Sequence, residues 1–114
     1  MSEPTKLYIL WTNADPITSD KMVFMYGVNC KLYDWWEEVT IIIWGATAKL
    51  AAENAGVQER IKQALQAGVS VIACKGCSDQ LEVSDALEEM GVEVAYIGGD
   101  LTRILKDDER LLTI

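Results

Sequence analysis

The chain carries two cysteines, Cys74 and Cys77, at the end of the apolar run VSVIACKGC (69–77). Thiols at this spacing can hold a metal ion, exchange disulfides or carry sulfane sulfur as a persulfide, and two buried thiols without a chemical role have the same spacing. A structural zinc site needs four ligands, usually thiolate or imidazole, whereas this chain has three cysteines and no histidine. We therefore expect no metal site and no cofactor, while the other interpretations stay open.

The reactivity of the pair depends on whether a strand ends and a helix begins there. A thiol at such a junction lies near backbone N–H dipoles, which favour the nucleophilic thiolate, and Lys75 adds a positive charge nearby. Cys74 is therefore the candidate nucleophile, and Cys77 is the candidate thiol that assists it or resolves its product. The glycine–proline pair of thioredoxin-type sites is absent from CKGC, which disfavours a dedicated disulfide oxidoreductase. The third cysteine, Cys30, lies in a predicted helix and is interpreted as a packing residue.

Short β-rich runs alternate with helical stretches along the chain. The predicted strands are KLYILW (6–11), EVTIIIWG (38–45), VSVIAC (69–74), VEVAYI (92–97) and RLLTI (110–114). Strands that alternate with helices predict βαβ units and a mostly parallel sheet covered on both faces, so the predicted fold class is α/β. The length of 114 residues suits one domain, residues 1–114.

The first helix has a clear start signal in Asp15 and Pro16. Aspartate caps a helix well, and proline at the first helical position loses no hydrogen bond. The helix is predicted to run through KMVFMYGVNCKLYDW (21–35). Within it Met22 and Met25 share one face by helical spacing, and we expect these methionines to fill the core.

A working site in an open parallel sheet lies beyond the carboxyl ends of the strands. Here those ends lead into WTNADP, WGAT, ACKGC and IGGD, which supply small, polar and aromatic side chains. The candidate pocket residues are Trp11, Asn13, Asp15, Trp44, Gly45, Lys75 and Gly98. The indoles of Trp11 and Trp44 cover the cysteine site if their strands are neighbours. Turn formation, helix capping and packing at the sheet rim explain the same residues without a binding role.

The composition excludes several classes of function. A net charge of −8 argues against nucleic acid, which needs clustered lysine and arginine, and against an anionic membrane surface. No segment approaches the ~20 apolar residues of a membrane span. The chain contains no G-x-G-x-x-G or P-loop, and without histidine it has no Ser–His–Asp triad. The start MSEPTK lacks the pattern of a secretory signal, and the odd number of cysteines adds to the prediction of a cytoplasmic protein.

Six segments together resemble the DsrE/DsrF-like family: ILWTNAD, YGVNCK, IIIWGAT, ACKGCSDQLEV, GVEVAYIGGDLT and LLTI. The resemblance implies a single DsrE-like domain, a three-layer α/β/α sandwich around a parallel sheet of about five strands. In the DsrEFH and TusBCD sulfur relays of this family, a cysteine after the third or fourth strand carries a persulfide. The position most similar to that cysteine is Cys74, with Cys77 as a second candidate. The relay segment of those proteins is not written CKGC, and close relatives often carry glycine in place of Glu82.

The same resemblance implies a homo-oligomer, a trimer or hexamer or a dimer, with sulfur donor or acceptor proteins as further partners. We therefore predict a sulfur carrier that accepts and passes on a persulfide at Cys74. A second hypothesis is a non-catalytic oligomeric module that binds a small molecule or a partner at the strand ends. A third is a dithiol–disulfide redox protein. Whether the protein is an enzyme stays open.

Overall fold

Five strands form one parallel sheet in the structure, a computed structural model that describes residues 3–114. The strands are β1 (Lys6–Trp11), β2 (Glu38–Ile43), β3 (Ser70–Cys74), β4 (Glu93–Ala95) and β5 (Arg110–Thr113). Their order across the sheet is β4-β3-β2-β1-β5. Every neighbouring pair runs parallel. The α/β class is confirmed, and the sheet is entirely rather than mostly parallel.

Helices connect the strands and cover both faces of the sheet. They are α1 (Pro16–Thr18), a π-helical segment (Ser19–Phe24), α2 (Met25–Leu32), α3 (Ala46–Glu53), α4 (Ala55–Gln66), α5 (Lys75–Gln80), α6 (Ser84–Glu89) and α7 (Gly98–Lys106). The chain moves in one direction from β1 to β4, so right-handed crossovers keep the connecting helices on one side. The last connection returns to β5 beside β1, which places α7 on the other side and completes the three-layer α/β/α sandwich. None of the described helices is long and apolar enough to cross a membrane.

Two hydrophobic cores flank the sheet because successive side chains of a strand point to opposite faces. The main core lies beneath the helices of the first three connections, where Ile9, Ile41 and Ala73 are fully buried. A smaller core, which we call the α7 core, lies on the opposite face. Its buried residues are Ile42, Cys74, Ile97 and Ile104. Cys74, at the end of β3, therefore lies on the face of the sheet that α7 covers.

The first helix begins where the sequence predicted. The side chain of Asp15 accepts a hydrogen bond of 2.8 Å from the backbone N–H of Thr18, and Pro16 occupies the first turn. The prediction that the methionines of this helix fill the core is wrong. Met22 is 39% exposed and Met25 is 49% exposed.

The π-helical segment explains where the methionines lie. A π-helical turn closes i→i+5 hydrogen bonds, so it takes up an additional residue and shifts the face that the following residues present. Phe24, Gly27 and Cys30 are buried against the sheet instead of the methionines. A Cβ added at Gly27 would lie 3.4 Å from Cδ1 of Ile9, so helix and strand approach closely there. The interpretation of Cys30 as a packing residue is confirmed.

Candidate functional site

The two neighbouring cysteines lie where β3 ends and α5 begins. Cys74 is the last residue of β3 and the N-cap of α5, with an extended backbone (φ −66°, ψ 110°). Cys77 follows in the first turn of α5. Because Val71 and Ala73 point into the main core, the alternation of the strand turns Cys74 toward the other face. This junction is the strand-to-helix transition that the sequence predicted for the thiol pair.

The thiol pair lies in an apolar setting between the sheet and α7. Cys74 is 8% exposed, and Cys77 is partly exposed. Ile42 and Ile97 pack beside them, and the half-buried Trp44 lies against the same cluster. The inner thiol is therefore nearly covered, whereas the outer one reaches solvent.

The pKa of Cys77 is raised above its ordinary value, first by burial and then by a hydrogen bond with Cys74, while the backbone N–H of Gly45 acts in the opposite direction. A hydrogen bond that raises the pKa of a thiol is one in which its S–H is the donor. The raised pKa means that the fold favours the protonated form of Cys77.

Lys75 follows Cys74 directly, but its charged amine is paired with Asp79 and lies near the ring of Tyr96. Its Nζ lies 3.1 Å from a carboxylate oxygen of Asp79 and 5.8 Å from the ring centroid of Tyr96. Asp79 raises the pKa of Lys75 by hydrogen bonding and by its charge. Asp79 also accepts a 2.5 Å hydrogen bond from Ser84 at the start of α6. The expected positive charge is thus present beside the thiol pair and is largely compensated by its own neighbour.

Three further predicted residues lie around the thiols. Trp44 contributes its indole to the α7 core. Gly45, with a φ of 73°, places its backbone N–H near Cys77. Gly98 begins α7 directly after Ile97, and no atom lies within 4 Å of the position that a Cβ would take there. Trp44, Gly45 and Lys75 therefore lie with the thiol pair, whereas Gly98 is placed only by its position next to Ile97 of the α7 core.

Trp11 lies on the opposite face of the sheet, which corrects the expectation that two indoles cover the thiols. It is fully buried in the main core, and its Nε1 donates to Oγ of Ser19 at 2.9 Å. Its ring meets Phe24 edge-to-face at 5.1 Å. The physical reason is register: Trp11 pairs with Ile43 of β2, whose side chain points into the main core, while the next residue, Trp44, points away from it.

Asn13 and Asp15 organise the turn between β1 and α1. Oδ1 of Asn13 accepts a 2.9 Å hydrogen bond from the backbone N–H of Asp15. Hydrogen bonds from Thr18 lower the pKa of Asp15. These contacts are those of a turn and a helix cap, and the structure does not bring either side chain to the thiol pair.

Several residues beside the thiols were not predicted from the sequence. Ile97 and Ile104 form the apolar wall, and Tyr96 and Asp79 hold Lys75. The spacing of Lys75 and Asp79, four residues apart in one helix, was a readable signal for their pairing. Among residues 3–114, no group of three or more cysteines, histidines or carboxylates is placed to hold a metal ion.

Comparisons with solved structures describe the same architecture. BT1422, a conserved protein of unknown function from Bacteroides thetaiotaomicron, is 39% identical, with coverage of 96% of this chain and 95% of that chain and a TM-score of 0.95. The ychN protein from E. coli is 13% identical over 98% of this chain and 100% of its own, with a TM-score of 0.70. MTH1491, a protein of unknown function from Methanobacterium thermoautotrophicum, has the same identity and coverages and a TM-score of 0.74. No protein-family model and no curated protein matches the chain.

Proposed function

This chain belongs to the family of the Bacteroides protein BT1422 and has the DsrE/YchN-like fold, and we propose that it carries sulfane sulfur as a persulfide on Cys74. With inorganic polysulfide as the donor, the Cys74 thiolate and the ion HS–S⁻ give Cys74–S–S⁻ and HS⁻. One S–S bond breaks and another forms, so the step needs no oxidant. The family resemblance of the cysteine segment leads to the same residue.

The observation that carries this proposal is the place of Cys74 at the junction of β3 and α5, where its side chain lies in the α7 core and Cys77 packs against the same core. A thiol S–H beside that sulfur is a weak hydrogen-bond donor, and such a donor stabilises a negative charge on a thiolate or on a persulfide. The surrounding cluster of Ile42, Ile97 and Trp44 keeps most water away. A persulfide held in such a site is protected from bulky thiols, which suits a carrier.

The proposal is tested by loading the protein with inorganic polysulfide and measuring its intact mass. We expect a reducible adduct of about 32 Da, one sulfur atom, on the wild-type chain. Cys74→Ser should lose this adduct, while Cys30→Ser should keep it because Cys30 is buried in the main core. The absence of an adduct on the wild type, or an undiminished adduct on Cys74→Ser, would refute the proposal.

A homo-oligomer, a trimer or hexamer or a dimer, is part of the proposal. Nine large apolar side chains are exposed among the described residues, and six of them lie between residues 17 and 35. The concentration of exposed apolar side chains in this one segment favours a subunit contact there. We further propose a cytoplasmic location, where thiols stay reduced, with sulfur donor and acceptor proteins as transient partners.

One observation favours the second hypothesis, a non-catalytic binding module. Cys74 is only 8% exposed, and a covered thiol often serves packing alone. In that case the strand ends and Trp44 hold a small molecule or a partner. Peptide-resolved alkylation separates the two: rapid labelling of Cys74 near neutral pH supports sulfur transfer, and labelling only after unfolding supports the module. A Cys74–Cys77 disulfide with a potential in the cellular range would support the redox protein instead.

A further inference from the structure

We infer that sulfur accepted by Cys74 leaves the protein from Cys77, so that the two thiols form an inner and an outer station of one relay. This inference rests on the proposed function, because it requires a persulfide on Cys74. It assigns Cys77 a transfer role rather than a supporting one. It also predicts which acceptors the protein serves directly.

The difference in exposure between the two thiols is the first argument. Cys74 is 8% exposed and enclosed by Ile42, Ile97 and Ile104, whereas Cys77 is partly exposed in the first turn of α5. Only a small reactant, such as the polysulfide anion, can reach a side chain that is this little exposed. The thiol of a protein or of a polymer cannot approach a sulfur along the line of an S–S bond in that space.

The contact between the thiols is the second argument. Cys74 caps α5 and Cys77 lies one turn later, so both side chains project to the same side of the helix start. Cys77 packs against the α7 core, which contains Cys74, so the two thiols lie in one apolar cluster. Gly76, between them, adds no side chain to this space, and a Cβ there would lie 3.9 Å from Sγ of Cys74.

The transfer step balances without any further reactant. The sulfur of Cys77 attacks the outer sulfur of Cys74–S–S⁻, a new S–S bond forms on Cys77, and the bond between Sγ of Cys74 and the outer sulfur breaks. The proton of the Cys77 thiol passes along the hydrogen bond to Cys74. The products are Cys74–SH and Cys77–S–S⁻. Attack on the inner sulfur would instead give a Cys74–Cys77 disulfide and HS⁻.

The exchange should become faster as pH rises. Burial and the bond to Cys74 keep the pKa of Cys77 above its ordinary value, so only a small fraction is thiolate at neutral pH. The titratable side chains around the pair are Lys75, which Asp79 compensates, Tyr96, whose ring centroid lies 5.8 Å from Nζ of Lys75, and Tyr8, which packs against the α7 core. A comparison of the pH dependence of wild type and Cys77→Ser separates the contribution of the thiol from theirs.

Two acceptors of different size test the inference on polysulfide-loaded protein. Cyanide removes sulfane sulfur as thiocyanate and is small, while a thiol-terminated polyethylene glycol is bulky. In Cys77→Ser we expect the rate with the polymer thiol to fall at least about tenfold more than the rate with cyanide, each relative to wild type. An equal fall of the two rates, or no fall in the rate with the polymer thiol, would overturn the relay.

Peptide mapping of the loaded wild type gives a second readout. We expect the added sulfur on both the Cys74 and the Cys77 positions after blocking with an alkylating agent. Release of hydrosulfide with formation of a Cys74–Cys77 disulfide would also overturn the inference. Failure of the proposed function has a different signature, because the wild type would then take up no sulfur at all.

Discussion

Trp11 pairs with Ile43, the residue before Trp44, and the indoles of Trp11 and Trp44 lie on opposite faces of the sheet. Trp11 is fully buried in the main core, with its Nε1 donating to Ser19. Trp44 is half-buried in the α7 core beside the thiol pair. One indole therefore stabilises the fold, and the other contributes to the candidate site.

Replacing each tryptophan by phenylalanine should separate these two roles. Trp11→Phe removes a buried hydrogen bond and part of the core volume, so we expect a loss of about 2 kcal/mol in the free energy of unfolding. Trp44→Phe should leave that free energy nearly unchanged and alter the rate of sulfur loading. Urea unfolding and the intact-mass assay provide the two readouts. A large stability loss in Trp44→Phe would show that its indole is a core residue only.

Glu82 has a positive φ of 61° in the turn between α5 and α6. A residue with a Cβ pays roughly 1–2 kcal/mol for the left-handed region, and glycine does not. Glu82→Gly should therefore increase the free energy of unfolding by about 1 kcal/mol. Asp34, which has a φ of 54°, offers a matched control, since aspartate tolerates this region better. A smaller gain for Asp34→Gly than for Glu82→Gly is the expected order.

Because the pKa of Cys77 is raised, we expect the protein to lose stability at alkaline pH. The folded state holds the Cys77 proton more tightly than the unfolded state does. The resulting contribution to the free energy of unfolding is complete below the unfolded thiol pKa of about 8.5, and it is lost as pH rises through the pKa of the folded state. Cys77→Ser should reduce the decline of stability above that pH. Cys30, whose pKa is raised by burial, should contribute in the same direction. Identical pH profiles for wild type and Cys77→Ser would contradict this account.

The exposed apolar side chains between residues 17 and 35 should mediate self-association. Met25→Glu combined with Leu32→Glu places two charges on this surface, where Leu32 is 63% exposed. We expect the double variant to shift the protein toward the monomer in light scattering after size-exclusion chromatography. Leu105→Glu is the control, because Leu105 is similarly exposed (57%) and lies on α7. Dissociation by the control alone would place the subunit contact on the α7 side.

Local patterns predicted most of the framework. The β-rich runs located all five strands, the cap and proline located the first helix, and the carboxyl-end rule located the junction that holds Cys74. These features depend on neighbouring residues, so they can be read from the sequence.

The features that could not be predicted depend on strand pairing and on helix geometry, which the local sequence does not determine. The face that Trp11 occupies depends on its pairing with Ile43, and the exposure of Met25 depends on the π-helical segment before it. The compensation of Lys75 by Asp79 was readable from their spacing, whereas the contact with Tyr96 required the folded sheet. The α7 core has the same origin, since the return of the chain to β5 creates it.

The central claim is that Cys74 is the residue that accepts sulfur, and Cys77→Ser isolates it because serine removes the second thiol and keeps a hydrogen-bond donor at that position. This variant removes the outer thiol and keeps Cys30 as an internal control in the main core. After brief exposure to polysulfide and alkylation, peptide mapping should find the added sulfur on Cys74 and none on Cys30. Sulfur found only on Cys30, or on no cysteine of a variant that remains folded, would contradict the account.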